Sequence, residues 1–164
     1  MTSSRRLTDD EKTWENLYST FYTLQRAREI ELAKVGLSIP QAGILHFLST
    51  SNEALTPMKL SRLMGRQPHT IGALIVRMEA QGLVKTTRDL KRKNWVRVSL
   101  TKKGQQAYKL QMTQRKARNA TSCLSDIERD HLNSICKKLR ATGIELIREM
   151  QPTPYADLVS NLLF

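Results

Sequence analysis

The chain has 164 residues, with 27 Lys and Arg against 15 Asp and Glu and a formal net charge of +12. That is length for one domain, or one domain with a helical appendage, around a core that needs no staples. The only cysteines, Cys123 and Cys136, form no C-x-x-C and point to a reducing compartment. The cations of "MTSSRRLTDDEK" precede no apolar signal stretch, and no apolar run nears the roughly 18 residues of a bilayer span, so the expected location is the cytoplasm.

The first predicted helix opens on Thr8-Asp9-Asp10-Glu11, a capping box in which Thr8 and Glu11 satisfy each other's backbone donors. Trp14, Leu17, Tyr18, Phe21 and Leu24 follow at helical spacing, and Gly36 offers a stop. A second box, Ser38-Ile39-Pro40-Gln41, opens a helix through Ile44, Leu45 and Leu48, ended by the polar "STSNEA". Thr56 caps a third, short helix with Pro57 at its first position, Leu60 and Leu63 inward and Gly65 as its stop. After "GRQ", Pro68 opens a fourth helix with Ile71, Leu74, Ile75 and Met78 inward and Gly82 as a left-handed terminator.

The period then changes from 3.6 to 2. Val84 and Thr86 alternate with Lys85 and Thr87, and Val96, Val98 and Leu100 alternate with Trp95, Arg97 and Ser99, which predicts a hairpin with a polar loop from Asp89 to Asn94. Thr101 caps a helix through Ala107, Tyr108, Leu110 and Met112 toward Cys123, and Ser125-Asp126-Ile127-Glu128 opens a last long helix carrying Leu132, Ile135, Leu139, Ile144 and Ile147. Pro152 and Pro154 end it, before an apolar tail, "YADLVSNLLF", expected to dock on a partner subunit. Helix, short helix, turn, helix, hairpin is the order of a winged helix-turn-helix. Apolar stripes at both ends of the chain, with nothing left to cover them, predict a second copy.

The charge is concentrated. Between Thr56 and Arg118 stand 16 Lys or Arg against two acids, Glu79 and Asp89, whereas the remainder holds 11 cations and 13 acids. Such a stretch attracts polyanions and speeds their capture. Nucleic acid is the favoured partner. An anionic membrane surface ranks below it, because the cations sit on a turn and a hairpin and not opposite an apolar helical stripe.

The pieces "LSIPQAGILHFL", "LTPMKLSRLMG", "TIGALIVRMEAQGLV" and "VRVSLTKKGQ" occur in this order, and the chain resembles, over about residues 7–150, the MarR (multiple antibiotic resistance regulator) family of transcription regulators. The resemblance implies a mainly α fold with a small β-hairpin wing, built as a twofold dimer. Residues 37–100 would form the winged helix-turn-helix lobe, and residues 1–36 and 101–164 the helical dimerisation region. Departures from the family pattern are Gln67 in place of a Ser or Thr cap, Ala73 and Val76 in place of polar or charged residues, and a wing of Lys91-Arg92-Lys93-Asn94. Arg77 matches the family's backbone-contacting arginine.

The expected DNA contacts follow from side-chain chemistry. At the start of the recognition helix, spanning 68–81, Gln67 can pair with adenine, His69 and Thr70 can donate or accept beside Pro68, and Arg66 can reach guanine or phosphate. Arg77, Arg88, Lys91, Arg92, Lys93 and Asn94 would grip phosphates or a narrowed minor groove, with Thr56 and Lys59 adding contacts. The stripe Trp14, Tyr18, Phe21 and Tyr22, with Arg26, reads either as core or dimer interface or as one wall of a crevice for a small aromatic effector. The crevice is implied by the resemblance, and Arg26 would anchor an acid there; His46 is either a further wall residue or a core histidine. His46, His69 and His131 lack metal-ligand spacing, and no phosphate loop or activated nucleophile is present. No cofactor, metal or catalysis is expected. The predicted function is that of a dimeric, sequence-specific DNA-binding regulator, a repressor that occludes a promoter. The alternative is a sequence-indifferent nucleic-acid binder, architectural or RNA-associated.

Overall fold

The structure, a computed structural model, describes residues 8–88, 96–114, 116–117 and 119–150. The expected wing tip, Lys91, Arg92, Lys93 and Asn94, and the C-terminal tail with its two prolines lie outside the described residues.

The described residues form α1 (Asp9–Ala33), α2 (Ile39–Thr50), α3 (Pro57–Met64), α4 (Pro68–Ala80), β1 (Val84–Arg88), β2 (Val96–Leu100), α5 (Lys102–Thr113), a single 3-10 turn (Ala120–Cys123) and α6 (Asp126–Met150). This is a mainly α fold with one antiparallel hairpin, the winged helix-turn-helix arrangement with long helices before and after it. The boundaries have local causes. Thr8 and Ser38 form reciprocal capping boxes with Glu11 and Gln41, and Thr56 accepts from the Lys59 amide at the start of α3. Gly65, at φ 56, closes α3, and Gly82, at φ 70, turns the chain out of α4 into β1. A side chain resists that left-handed region and glycine does not.

The core gathers between α2, α3, α4, the hairpin and α5. Ile44, Leu45, Leu60, Ile71 and Met78 are fully buried, and each such side chain contributes roughly 1.5–3 kcal/mol by leaving water. Ile71, Leu74, Ile75 and Met78 line up on the inner face of α4, as their spacing predicts. The opposite face, His69, Ala73, Val76, Arg77 and Ala80, is exposed.

The hairpin pairs Val84 with Leu100, Thr86 with Val98 and Arg88 with Val96. Its root is fixed to the lobe at several points. Val98 N–H donates to the Leu55 carbonyl at 2.9 Å, and the Thr101 hydroxyl donates to the Gly82 carbonyl at 2.6 Å. In the first turn of α5, an added Cβ on Gly104 would lie 2.0 Å from the Leu83 carbonyl oxygen. Only glycine lets α5 come this close to the root of the wing.

One expectation for α5 needs correction. The helix does not continue toward Cys123 but ends at Thr113. Arg28 and Glu31 of α1, themselves paired at 3.2 Å, reach across and take the chain over there. Arg28 donates to the Gln114 carbonyl at 2.6 Å and Glu31 accepts from the Ala117 amide at 2.8 Å, so the end of α5 is satisfied without another turn. Near its end Gln111 is buried and Leu110 exposed.

In a single chain the outer helices cover little. Trp14, Tyr18, Phe21 and Tyr22 of α1 are more than half exposed, and α6 buries none of its residues. Among the described residues no helix is long and apolar enough to cross a membrane, and no group of His, Cys, Asp or Glu is placed to hold a metal ion.

Candidate nucleic-acid interface

The exposed face of α4 is the centre of the candidate site. Gln67 takes the N-cap position but makes no side-chain capping bond, so its amide projects from the helix start instead of closing it. Pro68 supplies the first helical residue, His69 is exposed and Thr70 half-buried. Two turns on, Arg77 is exposed on the same side as Val76, which keeps 66% of its surface open. An apolar β-branched residue this open on a helix whose other face fills the core has no role in packing.

The cations are distributed around this helix. Thr56 is occupied in capping α3, and Lys59 beside it pairs with Glu53. The Lys59 hydrogen bond and then its charge hold the Glu53 carboxyl below the ordinary carboxylate range. Arg66 lies in the turn between α3 and α4. Its amide donates to the Ser61 carbonyl at 3.1 Å and its carbonyl accepts from the buried Ser61 hydroxyl at 2.8 Å, which fixes the backbone while the side chain stays exposed. Lys85, Arg88 and Arg97 project from the hairpin, all exposed. Of the expected contacts, Arg66, Thr70 and Arg77 line one cavity along α4, Gln67, Pro68 and His69 stand at the start of the same helix, and Arg88 is exposed on β1.

One participant was not recognisable as such from its residue type. Glu79, in the last turn of α4, accepts from the Thr86 amide at 2.7 Å and the Thr86 hydroxyl at 2.8 Å. It is one of the two acids in the cationic stretch, and here it ties α4 to β1. Its place three residues after Val76 was legible; its partner, across a turn, was not.

A cavity of about 400 Å³ opens behind this surface, between α1, α2 and α5. Leu32, Ile39, Ala42 and Met64 supply apolar walls, and Arg28, His46, Arg66 and Gln111 the polar ones. Gly43 belongs here because a Cβ would press on Met64 at 3.1 Å. Of the residues expected at an effector crevice, His46 lines this cavity. Trp14, Tyr18, Tyr22 and Arg26 do not; in the single chain they stand exposed along α1, with Tyr18 and Tyr22 stacked and Arg26 paired with Glu29 at 3.1 Å. Cys123 and Cys136 are both exposed and unbridged.

The MarR family matches the sequence over residues 35–93, and no curated protein matches. Among solved structures, the organohalide-sensing RdhR-CbdbA1625 transcriptional regulator in its ligand-free form is 27% identical, with a TM-score of 0.78 over 90% of this chain and 89% of that one. The same regulator bound to 2,4-dichlorophenol is 26% identical, with a TM-score of 0.75 over 87% and 85%. A mutant MarR from E. coli complexed with operator DNA shares the fold at 17% identity, with a TM-score of 0.69 over 76% and 91%.

Proposed function

We propose that the chain, similar to the MarR family over residues 35–93, is a winged-helix transcriptional regulator of that kind, a cytoplasmic, homodimeric repressor that reads a pseudo-palindromic operator. In this reading α4 enters the major groove, where Gln67, His69 and Thr70 address base edges, while Arg66, Arg77, Arg88 and the wing tip hold phosphates. Residues 1–36 and 101–164 form the dimerisation region, in which a second copy covers the exposed faces of α1 and α6. Residues 37–100 form the reading lobe. Two lobes then address half-sites about one helical turn, roughly 34–36 Å, apart.

The observation that carries this reading is the composition of one surface. The face of α4 that does not fill the core is open, and it lies inside a stretch with 16 cations and two acids, of which Glu79 is turned to Thr86. Like charges packed this way repel, and a polyanion relieves the repulsion. A small-molecule effector belongs to the same proposal. The cavity behind α4 has the size and the mixed apolar and polar lining of a ligand site, and a phenol is bound by the RdhR-CbdbA1625 regulator.

Selection of genomic fragments by the purified protein, at low and moderate salt, tests the proposal. A recovered pseudo-palindrome that survives moderate salt is the expected result. Fragments without a motif, all lost together as salt rises, would mean a sequence-indifferent binder that grips phosphate alone, and the regulator reading would fall.

A further inference from the structure

The open face of α4 is uneven in its chemistry. A recognition helix addresses base edges with positions spaced i, i+3, i+4 and i+7, which share one face. Counted from His69, that set continues with Gly72, Ala73 and Val76. Only His69 among them can make a hydrogen bond through its side chain. Arg77 and Glu79 stand about 80° to either side of this line, at 3.6 residues per turn. Arg77 lines the cavity along α4 with Arg66 and Thr70, and Glu79 is turned to Thr86 on β1. Among the described residues of α4, none beyond the first turn places a side-chain donor or acceptor at the centre of the face.

The fold of the lobe does not account for two of these residues. Val76 is 66% exposed. Gly72 sits in mid-helix, where glycine costs stability relative to alanine, yet a Cβ there would meet nothing within 4 Å. Gly43 and Gly104 differ from it, because a neighbour presses on each. The reason for Gly72 and for the open valine therefore lies outside the chain, in something that approaches the helix closely and has apolar groups of its own. Charge names its class. This face lies within the stretch of 16 cations and two acids, which draws a polyanion. The apolar groups that a duplex displays in its major groove are the C5-methyl groups of its pyrimidines. A valine in a helix is stiff at χ1, so its contact with such a methyl costs little side-chain entropy.

We propose that α4 reads pyrimidine C5-methyl groups, Gly72 and Ala73 letting the helix lie close to the groove floor and Val76 packing on the methyl, so that cytosine methylation at that position strengthens binding. This rests on the DNA-binding reading above and names the chemical mark to which the site responds. Val76 meets the C5 edge and has no group that senses position 4, where thymine carries an acceptor and cytosine a donor. It therefore separates thymine from uracil, and methylated from unmethylated cytosine. Thymine and 5-methylcytosine it treats alike. Each methyl covered in this way is worth about fourfold in affinity.

The test uses the full chain and the operator duplex it selects, with fluorescence anisotropy as the readout. Each pyrimidine of one half-site, on both strands, is placed in turn in two pairs that differ by one methyl: thymine against deoxyuridine, and 5-methylcytosine against cytosine. At one position the wild type is expected to bind the methylated member of both pairs about fourfold more tightly. Val76→Ser, a change at an open position, is expected to melt with the wild type and to lose both differences. Gly72→Leu is expected to melt no lower and to lose them too, because its side chain lifts the helix from the groove. A wild type indifferent to the methyl at every pyrimidine overturns the proposal. So does a Val76→Ser or Gly72→Leu protein that keeps the differences, since the methyl then acts through duplex shape. A selected motif without methyl response overturns this proposal alone, whereas a chain that selects no motif and binds all duplexes alike overturns the regulator reading and this proposal with it.

Discussion

Removing Glu79 is expected to weaken DNA binding even though it takes a negative charge out of the interface. One carboxylate oxygen accepts from the Thr86 amide at 2.7 Å and the Thr86 hydroxyl at 2.8 Å, two residues before Arg88. Hydrogen bonds to a charged group are each worth roughly 1.5–3 kcal/mol when shielded. These are exposed, and water replaces much of them, so about 1 kcal/mol for the pair is the working figure. Against this stands the repulsion between Glu79 and a phosphate. At about 10 Å in water it is about 0.4 kcal/mol before salt screening. The two contributions separate in two variants. Glu79→Gln keeps an acceptor for Thr86 and drops the charge, so its operator affinity rises by up to about fourfold, about 0.4 kcal/mol at each of two half-sites. Glu79→Ala drops both, leaves the wing strand untied from α4, and loses about eightfold, the net of about 0.6 kcal/mol at each of two half-sites. Anisotropy titrations at two salt concentrations measure both. If alanine and glutamine tighten binding equally, Glu79 is only a charge in the field and the tether has no role.

Three further outcomes are expected. Gly104→Ala sets a Cβ 2.0 Å from the Leu83 carbonyl oxygen and should cost about 1–3 kcal/mol or more, whereas Gly72→Ala meets nothing within 4 Å and should stabilise by up to about 1 kcal/mol; thermal melts that fail to separate the two refute the close approach. Replacing operator thymines by deoxyuridine should weaken the wild type about fourfold at positions facing Val76, the worth of one buried methyl at about 0.8 kcal/mol, and the difference should vanish in Val76→Ser; a wild type indifferent to the methyl counts against apolar reading there. The Ser125 amide and then its hydroxyl hold Glu128 below the ordinary carboxylate range. Its contribution is therefore complete above the unfolded value and is lost as pH falls through the lower folded one; Ser125→Ala should flatten the acid limb of the stability curve, and an unchanged limb would contradict the capping role.

What was legible in the sequence was whatever is decided within a few residues. The boxes at Thr8, Ser38 and Ser125, the left-handed glycines at 65 and 82, and the inward set on α4 are all local agreements between residue type and backbone. The end of α5 is different in kind. No Gly or Pro stands between Thr113 and Cys123, and the helix stops because Arg28 and Glu31, 86 residues away, take its last carbonyl and the following amide. The same distance hid the cavity. Gly104, Ala107, Tyr108 and Gln111 are spaced as one helical face, but a glutamine at the fourth position reads as a surface residue until Ala42 is seen to hold its amide. Of the expected site, the α4 and hairpin residues were readable from charge and order, whereas Arg28, Arg66 and Gln111 as cavity walls required the fold.

The Leu55–Val98 bridge divides the hairpin as a clamp divides a cantilevered beam. Inboard of it, Val84 is buried, Leu100 packs against the core and Thr101 is bonded to the Gly82 carbonyl, so a change there is felt throughout the lobe. Outboard lies the pair of Arg88 with Val96, with no part in that clamp. Substitution at these two strand ends can therefore change the charge of the wing while the core and α4 stay where they are.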